Sequence, residues 1–351
     1  MLADLVAGLA LAALIAYAVL AGADFGGGVW DAFARGPRRD AQRDAIAKAM
    51  GPVWEANHVW LIFVIVLLFS GFPAAFAALS VALFTPFHLV LLGIILRGAA
   101  FVFRAYSPRS ARVPGPGRQA ARWGAVFGGA SVITPVLLGM CLGAVSAGGV
   151  RVLDGRVTTA GTPPWLAPLS LAMGAFALAV CAYLAAVYLA NETEGELRED
   201  FRRRALLSGT VVVALSVLVL PLLHARAPHL WAGLTSARAA PVLAIGVVAA
   251  LLSGWALRRR RPRLARTATV VQTACLLAGW GIAQHPFLIY PDVTVHAAAA
   301  PEGTLRFLLW STPFGMALLL PSLWMLFRVF KGPSMGLVDR AEDEETEVLS
   351  P

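Results

Sequence analysis

Residues 50–73 read MGPVWEANHVWLIFVIVLLFSGFP, and this stretch decides the class of fold. A polar, aromatic entry (Pro52, Trp54, Glu55, Asn57, His58, Trp60) runs straight into an apolar block from Leu61 to Phe69. A carboxylate beside a bilayer-length apolar helix is costly unless it is paired, hydrated or used in transport. The stretch points to ion or proton handling at a membrane, in cooperation with another component.

The composition extends that reading to the whole chain. Of 351 residues, 58% are hydrophobic and 14% charged, with a mean hydropathy of +0.72. Soluble domains average about 25% charged residues, so the fold class is an all-α polytopic membrane protein. A hydrocarbon core about 30 Å thick needs roughly 20 apolar residues as helix. Nine runs qualify: 4–24, 57–80, 82–104, 123–147, 164–190, 205–223, 239–257, 267–285 and 305–330. Two packed four-helix bundles with a peripheral ninth helix accommodate them, and no strand-like alternation of useful length is evident.

Residues 1–335 are read as a single membrane domain: spans 1–4 in 1–147, spans 5–8 in 148–285, then an outer segment and span 9 in 286–335. Residues 336–351 form an acidic tail. The N-terminus lacks the basic region of a cleaved signal peptide and reads as a retained first span. Cys141, Cys181 and Cys275 stand singly in apolar runs and give neither metal spacing nor a disulfide framework.

Every second loop is basic. Arg35, Arg38, Arg39, Arg43 and Lys48 follow span 1, and Arg104, Arg109, Arg112, Arg118 and Arg122 surround the loop after span 3. Arg198 and Arg202 to Arg204 follow span 5, and Arg258 to Arg261, Arg263 and Arg266 follow span 7. The positive-inside rule then sets the N-terminus outside and the C-terminus, with its tail, in the cytoplasm. The net charge of +9 is topology, and nucleic acid is not a partner.

With that orientation, Asp24 near the inner end of span 1 shares one layer with Glu55, Asn57 and His58 at the start of span 2. Arg97 lies about two turns short of the inner end of span 3. One reading is a polar entrance for protons, with Asp24 or Glu55 as relay and Arg97 setting their pKa. The other is a structural ion pair pinning three spans together. His58 and His88 fall at different depths, which argues against one haem between them. No histidine pair at helical spacing offers a metal site, and no phosphate loop or nucleophile constellation assigns a catalytic residue to this chain. A secondary transporter using Asp24, Glu55 and Arg97 is the competing class, but the charges are off-centre and no inverted repeat is visible.

Six segments, in order, carry a resemblance: GADFGGG at 22–28, GPVWEANHVWLI at 51–62, FP at 72–73, ILRGAAF at 95–101, EGELR at 194–198 and GIAQHPFLIYPD at 281–292. Together the chain resembles subunit II of cytochrome bd-type quinol oxidases over nearly its whole length. The resemblance implies a two-subunit core in the bacterial cytoplasmic membrane, part of a quinol:oxygen oxidoreductase. Subunit I is expected to hold two haems b, haem d and the quinol site, while subunit II ligates no haem. The pair oxidises quinol, reduces dioxygen to water and takes protons from the cytoplasm. Some members hold a structural quinone in subunit II, and the resemblance leaves room for a small single-span accessory subunit. Trp54, Trp60, Gly22, Gly26, Gly28, Pro73, Glu196 and Pro286 match family motifs of structural character.

The chain departs from the family pattern at acidic positions. AGAD stands where members commonly read DGFD, so Ala21 replaces one carboxylate. WEAN replaces WDGN, which keeps a carboxylate at Glu55, and Val102 stands where an acidic residue often follows the span 3 motif. A rerouted proton path, a different electron donor in the partner and a purely scaffolding subunit all remain open.

Overall fold

The computed structural model describes residues 1–105, 118–153, 155–159 and 161–331. The acidic tail at 336–351, and the Arg/Pro/Gly stretch of 107–118 apart from its last residue, lie outside the described residues. The first half comprises α1 (Leu2–Ala32), α2 (Arg39–Gly71), α3 (Pro73–Ala82), α4 (Phe84–Ala105) and α5 (Arg118–Ser146), then a hairpin of β1 (Val150–Leu153) and β2 (Arg156–Thr159). The second half comprises α6 (Pro168–Glu192), α7 (Gly195–Arg226), α8 (Pro228–Leu234), α9 (Ala240–Arg258) and α10 (Pro262–Gln284). A hairpin of β3 (Phe287–Ile289) and β4 (Val293–Thr294) leads into α11 (Glu302–Lys331).

Each of the nine apolar runs overlaps a long helix. Eight are long and apolar enough to cross a membrane. The expected eighth span, 267–285, is the 23-residue α10, but its Arg, Thr and Gln content leaves it outside that set. The expected span 57–80 is corrected. Pro73 lacks an N–H and disfavours helical geometry at the residue before it, so α2 stops at Gly71. Phe72 adopts φ −138° and ψ 60°, its ring fully buried, and α3 restarts with Pro73 in its first turn. The two hairpins are also a departure from the strand-free expectation, both antiparallel and both away from the arginine-rich end.

Helix α1 is the hub, packing against α2, α5, α6, α10 and α11. Around it, α2, α4 and α5 complete one group and α6, α7, α9 and α10 the other, while α11 leans mainly on α1 and α2. Large apolar side chains such as Leu251, Phe314 and Leu318 face outward, as a surface solvated by lipid requires.

At the arginine-rich end, a charge network ties α2 to α7. Arg38 donates to Asp200 Oδ2 and Oδ1 (2.9 and 2.8 Å) and to Glu196 Oε2 (2.8 Å). Gln42 donates to Asp200 Oδ2 (3.0 Å) and accepts from Arg204 (2.6 Å). Glu196, singled out by its motif, is therefore the exposed outer member of a junction between the two helix groups.

At the opposite end, Arg151 of β1 donates to both oxygens of Asp292 (2.7 and 3.0 Å), and the Val152 amide donates to Asp292 Oδ2 (2.8 Å). The Arg151 guanidinium is the main cause holding the Asp292 carboxyl below its ordinary value of 3.8. A carboxylate whose folded pKa is depressed contributes stability above its unfolded pKa and loses it as pH falls through the folded one. Asp292→Asn should therefore lower the melting temperature of the purified complex at pH 7. The gap to wild type should close as pH drops below 3.8. A gap independent of pH would show that Asp292 contributes no charge-dependent stability.

Candidate functional site

The residues that carry the site come from α1, α2, α4 and α5, and glycine sets how closely those helices approach. A Cβ on Gly26 would lie 1.9 Å from the Cys181 carbonyl oxygen of α6, and one on Gly28 would lie 2.0 Å from Ser131 Oγ of α5. Gly22 is close-packed too, its virtual Cβ 2.8 Å from Leu184 Cδ1. Small residues let helix backbones meet in lipid. Here they seat the last turns of α1 in the middle of the protein and bury Asp24.

Asp24, Arg97 and Asn57 are 1%, 3% and 3% exposed. Arg97 takes both carboxylate oxygens of Asp24 in a fork: Nη1 donates to Oδ2, and Nη2 to Oδ1 at 2.5 Å. Its Nη2 also reaches the Asp24 carbonyl (2.9 Å), and its Nε donates to Ser131 Oγ (2.9 Å). The Ser131 hydroxyl in turn donates to the Phe127 carbonyl (2.7 Å), and Asn57 Nδ2 donates to Asp24 Oδ2 (2.9 Å). The guanidinium carbon sits 5.2 Å from the Phe25 ring centroid and 4.8 Å from that of Phe127, a cation–π arrangement. Planar bidentate pairing is what arginine does and lysine cannot.

Glu55 does not join this layer. It lies exposed on the opposite face of α2, on the same side as Ile62, Ile65, Val66 and Phe69. Two residues of an α-helix are about 200° apart, so the positions that send Asn57 inward send Glu55 outward. It makes no hydrogen bond or ion pair with any described residue.

His58 lines a cavity of about 10 Å³ together with Tyr17, Asp24, Trp54, Asn57 and Arg97, close to the least space that holds one water. Its Nδ1 donates to the Trp54 carbonyl (2.7 Å), which leaves Nε2 as the free nitrogen. Trp54 meets the His58 ring edge-on at 5.0 Å and stacks over Phe101 at 6.4 Å. Trp60 is half-buried against Phe63, and Pro286 accepts from the Val295 amide (2.8 Å). Three contributors escaped sequence reasoning. Ser131 and Phe127 looked like ordinary residues of an apolar run, and Tyr17, whose buried hydroxyl has no partner among the described residues, looked like a core aromatic.

His58 and His88 do not come together. His88 is exposed on α4, its Nδ1 committed to the Phe84 carbonyl (2.7 Å). It precedes Arg97 by nine residues, about 13 Å along the helix at 1.5 Å per residue. Among the described residues no group of three His, Cys, Asp or Glu side chains is placed to hold a metal ion. Ala21 is buried beside Tyr17 and Phe25, and Val102 is exposed, so no carboxylate replaces the two that the family pattern leads one to expect there.

Fold and site together define a largely helical, multi-pass membrane protein with a closed Asp–Arg–Asn pin across α1, α4 and α2 and the outward carboxylate of Glu55 two residues from Asn57 on α2. The profile of the family described as cytochrome bd terminal oxidase subunit II matches residues 2–330, and the chain belongs to that family. It is 25% identical to the cytochrome bd-I ubiquinol oxidase subunit 2 of Escherichia coli strain K12, covering 90% of this chain and 91% of that one. A cytochrome bd ubiquinol oxidase subunit 2 of Bacillus subtilis strain 168 is 27% identical over 57% of this chain and 56% of its own length. The fold matches the bd oxidase structure of Geobacillus thermodenitrificans with a TM-score of 0.79 at 23% identity, covering 94% of this chain and 98% of that one. The protein is a multi-pass component of a respiratory oxidoreductase of the bacterial inner membrane, and a subunit II implies a subunit I beside it.

Proposed function

We propose that this chain is the haem-free half of a quinol-oxidising, dioxygen-reducing pair, with the haems b, haem d and the quinol site in subunit I. In this reading Asp24, Arg97 and Asn57 hold α1, α2 and α4 together, and proton handling at the inner face falls to Glu55. The observation that carries it is the contrast between the two carboxylates. Every oxygen of Asp24 is engaged by buried donors, so its hydrogen-bonding capacity is committed to the pin. Glu55 is unpaired and exposed, at the end of the protein that the arginine-rich loops set in the cytoplasm. It borders an apolar face of α2 that a partner subunit can cover. This favours a relay role for Glu55 over the transporter reading, since the pin offers no open midplane site.

The test is Glu55→Gln in the two-subunit complex. Oxygen consumption with quinol should fall about a hundredfold, the low end of what one acid–base group contributes, with the haem spectrum of the partner unchanged. Glu55→Asp should retain most of the activity, because a relay needs an ionisable group more than a fixed reach. Full activity in the Gln variant removes Glu55 from the path and leaves a scaffolding subunit.

A further inference from the structure

A second, larger cavity opens on the far side of α1 from the pin. It measures about 390 Å³ and lies between α1 (Val19, Leu20, Ala23), α6 (Leu184, Val187) and α10 (Val270), with Val53 of α2 closing one wall. That volume falls within the range of ligand pockets, about 300–1,000 Å³. Val270 and Val271 are both 37% exposed, so α10 forms a rim facing the surrounding bilayer.

The polar groups sit at one end only. Arg266 and Thr267 line the cavity at the start of α10. Arg263, one turn earlier on the same helical face, is exposed and has no ion-pair partner among the described residues. Arg266 reaches Glu192 at 3.3 Å but is 45% exposed. Two of the three lining hydroxyls donate within α10, Thr267 to the Arg263 carbonyl and Thr269 to the Ala265 carbonyl, and the third is that of Tyr188, one turn before Glu192 on α6.

We infer that this crevice binds an anionic phospholipid, one acyl chain lying along α1 and α6 and the phosphate held by Arg263 and Arg266. The deep part is apolar and takes an alkyl chain. The charged hydrogen-bond donors are cationic and confined to the mouth, which matches a phosphodiester. A quinone ring needs donors for its carbonyls inside the crevice, and both threonine hydroxyls there are committed to carbonyls of their own helix. Basic pockets between helices at the cytoplasmic side are where anionic headgroups are recognised. The inference goes beyond the oxidase reading and does not depend on it.

The test uses the two-subunit complex in nanodiscs containing phosphatidylglycerol with a photoactivatable acyl chain, with labelled residues mapped by peptide mass spectrometry. Labels should appear on α1 and α6 around Val19, Leu184 and Val187. Excess unlabelled phosphatidylglycerol should remove them, and phosphatidylcholine should not. Arg263→Gln, which breaks no internal ion pair, should weaken crevice labelling roughly fivefold, the effect of one cation near an anionic headgroup. Val270→Phe should remove the label while leaving both arginines in place, which separates chain insertion from headgroup attraction alone. Label absent from the crevice, equal competition by phosphatidylcholine, displacement by a quinone in preference to phosphatidylglycerol, or no effect of either substitution would each overturn the inference.

Discussion

Arg97→Ala should be among the most damaging single substitutions in the chain. Removing one partner of a buried ion pair costs about 3–5 kcal/mol, because the remaining charge is left without compensation. Here the loss strands Asp24, which is 1% exposed, with the Asn57 amide as its only remaining side-chain partner. It also frees Ser131 Oγ and leaves a gap between the rings of Phe25 and Phe127. Arg97→Lys should recover little, since an ammonium cannot span both carboxylate oxygens and Ser131. The double variant Asp24→Leu/Arg97→Met should regain much of the lost stability, because no unpaired charge remains. Thermal unfolding of the purified complex reads all three. Melting of Arg97→Ala indistinguishable from wild type would mean that the pin contributes nothing. A double variant worse than either single would mean that it does more than pair charges.

Gly26→Val is the second large effect, and it works through the backbone. Any Cβ on residue 26 meets the Cys181 carbonyl at 1.9 Å and the Ala185 Cβ at 2.7 Å. The carbonyl cannot rotate away, so α1 must separate from α6. Overpacking a tight contact costs about 1–3 kcal/mol, occasionally more, and valine adds two further carbons. Displacing α1 also moves Asp24 relative to Arg97, so the variant should lose assembled complex as well as stability. Gly8→Ala is the control on the same helix, since nothing lies within 4 Å of its virtual Cβ. It should be neutral or stabilise by up to about 1 kcal/mol through helix propensity. Co-purification of the partner subunit with each variant separates them. Equal yields from Gly26→Val and Gly8→Ala would contradict the packing described for α1.

Most of the long helices were legible because length and hydropathy alone announce a membrane span. Alternation of basic loops then gave the layer that brings Asp24 and Arg97 together. Three features were missed although their signals were present. Pro73 interrupts an apolar run that looked continuous, and its missing N–H ends α2. Asp154–Gly155, between VRVL and RVTT, is a strong hairpin signal, passed over in a chain otherwise so helical. The phase of α2 was the costliest omission, since depth was used to group Glu55 with Asn57 while their azimuths oppose. Ser131, Phe127 and Tyr17 were not legible, because no local pattern marks a hydroxyl or a ring that becomes functional only when another helix delivers a guanidinium to it.

The most direct test of a haem-free subunit is the dithionite-reduced minus oxidised visible spectrum of membranes expressing this chain alone and with subunit I. The account predicts haem b and haem d bands only when both chains are present. Haem bands from this chain alone would contradict it and return attention to His58 and His88.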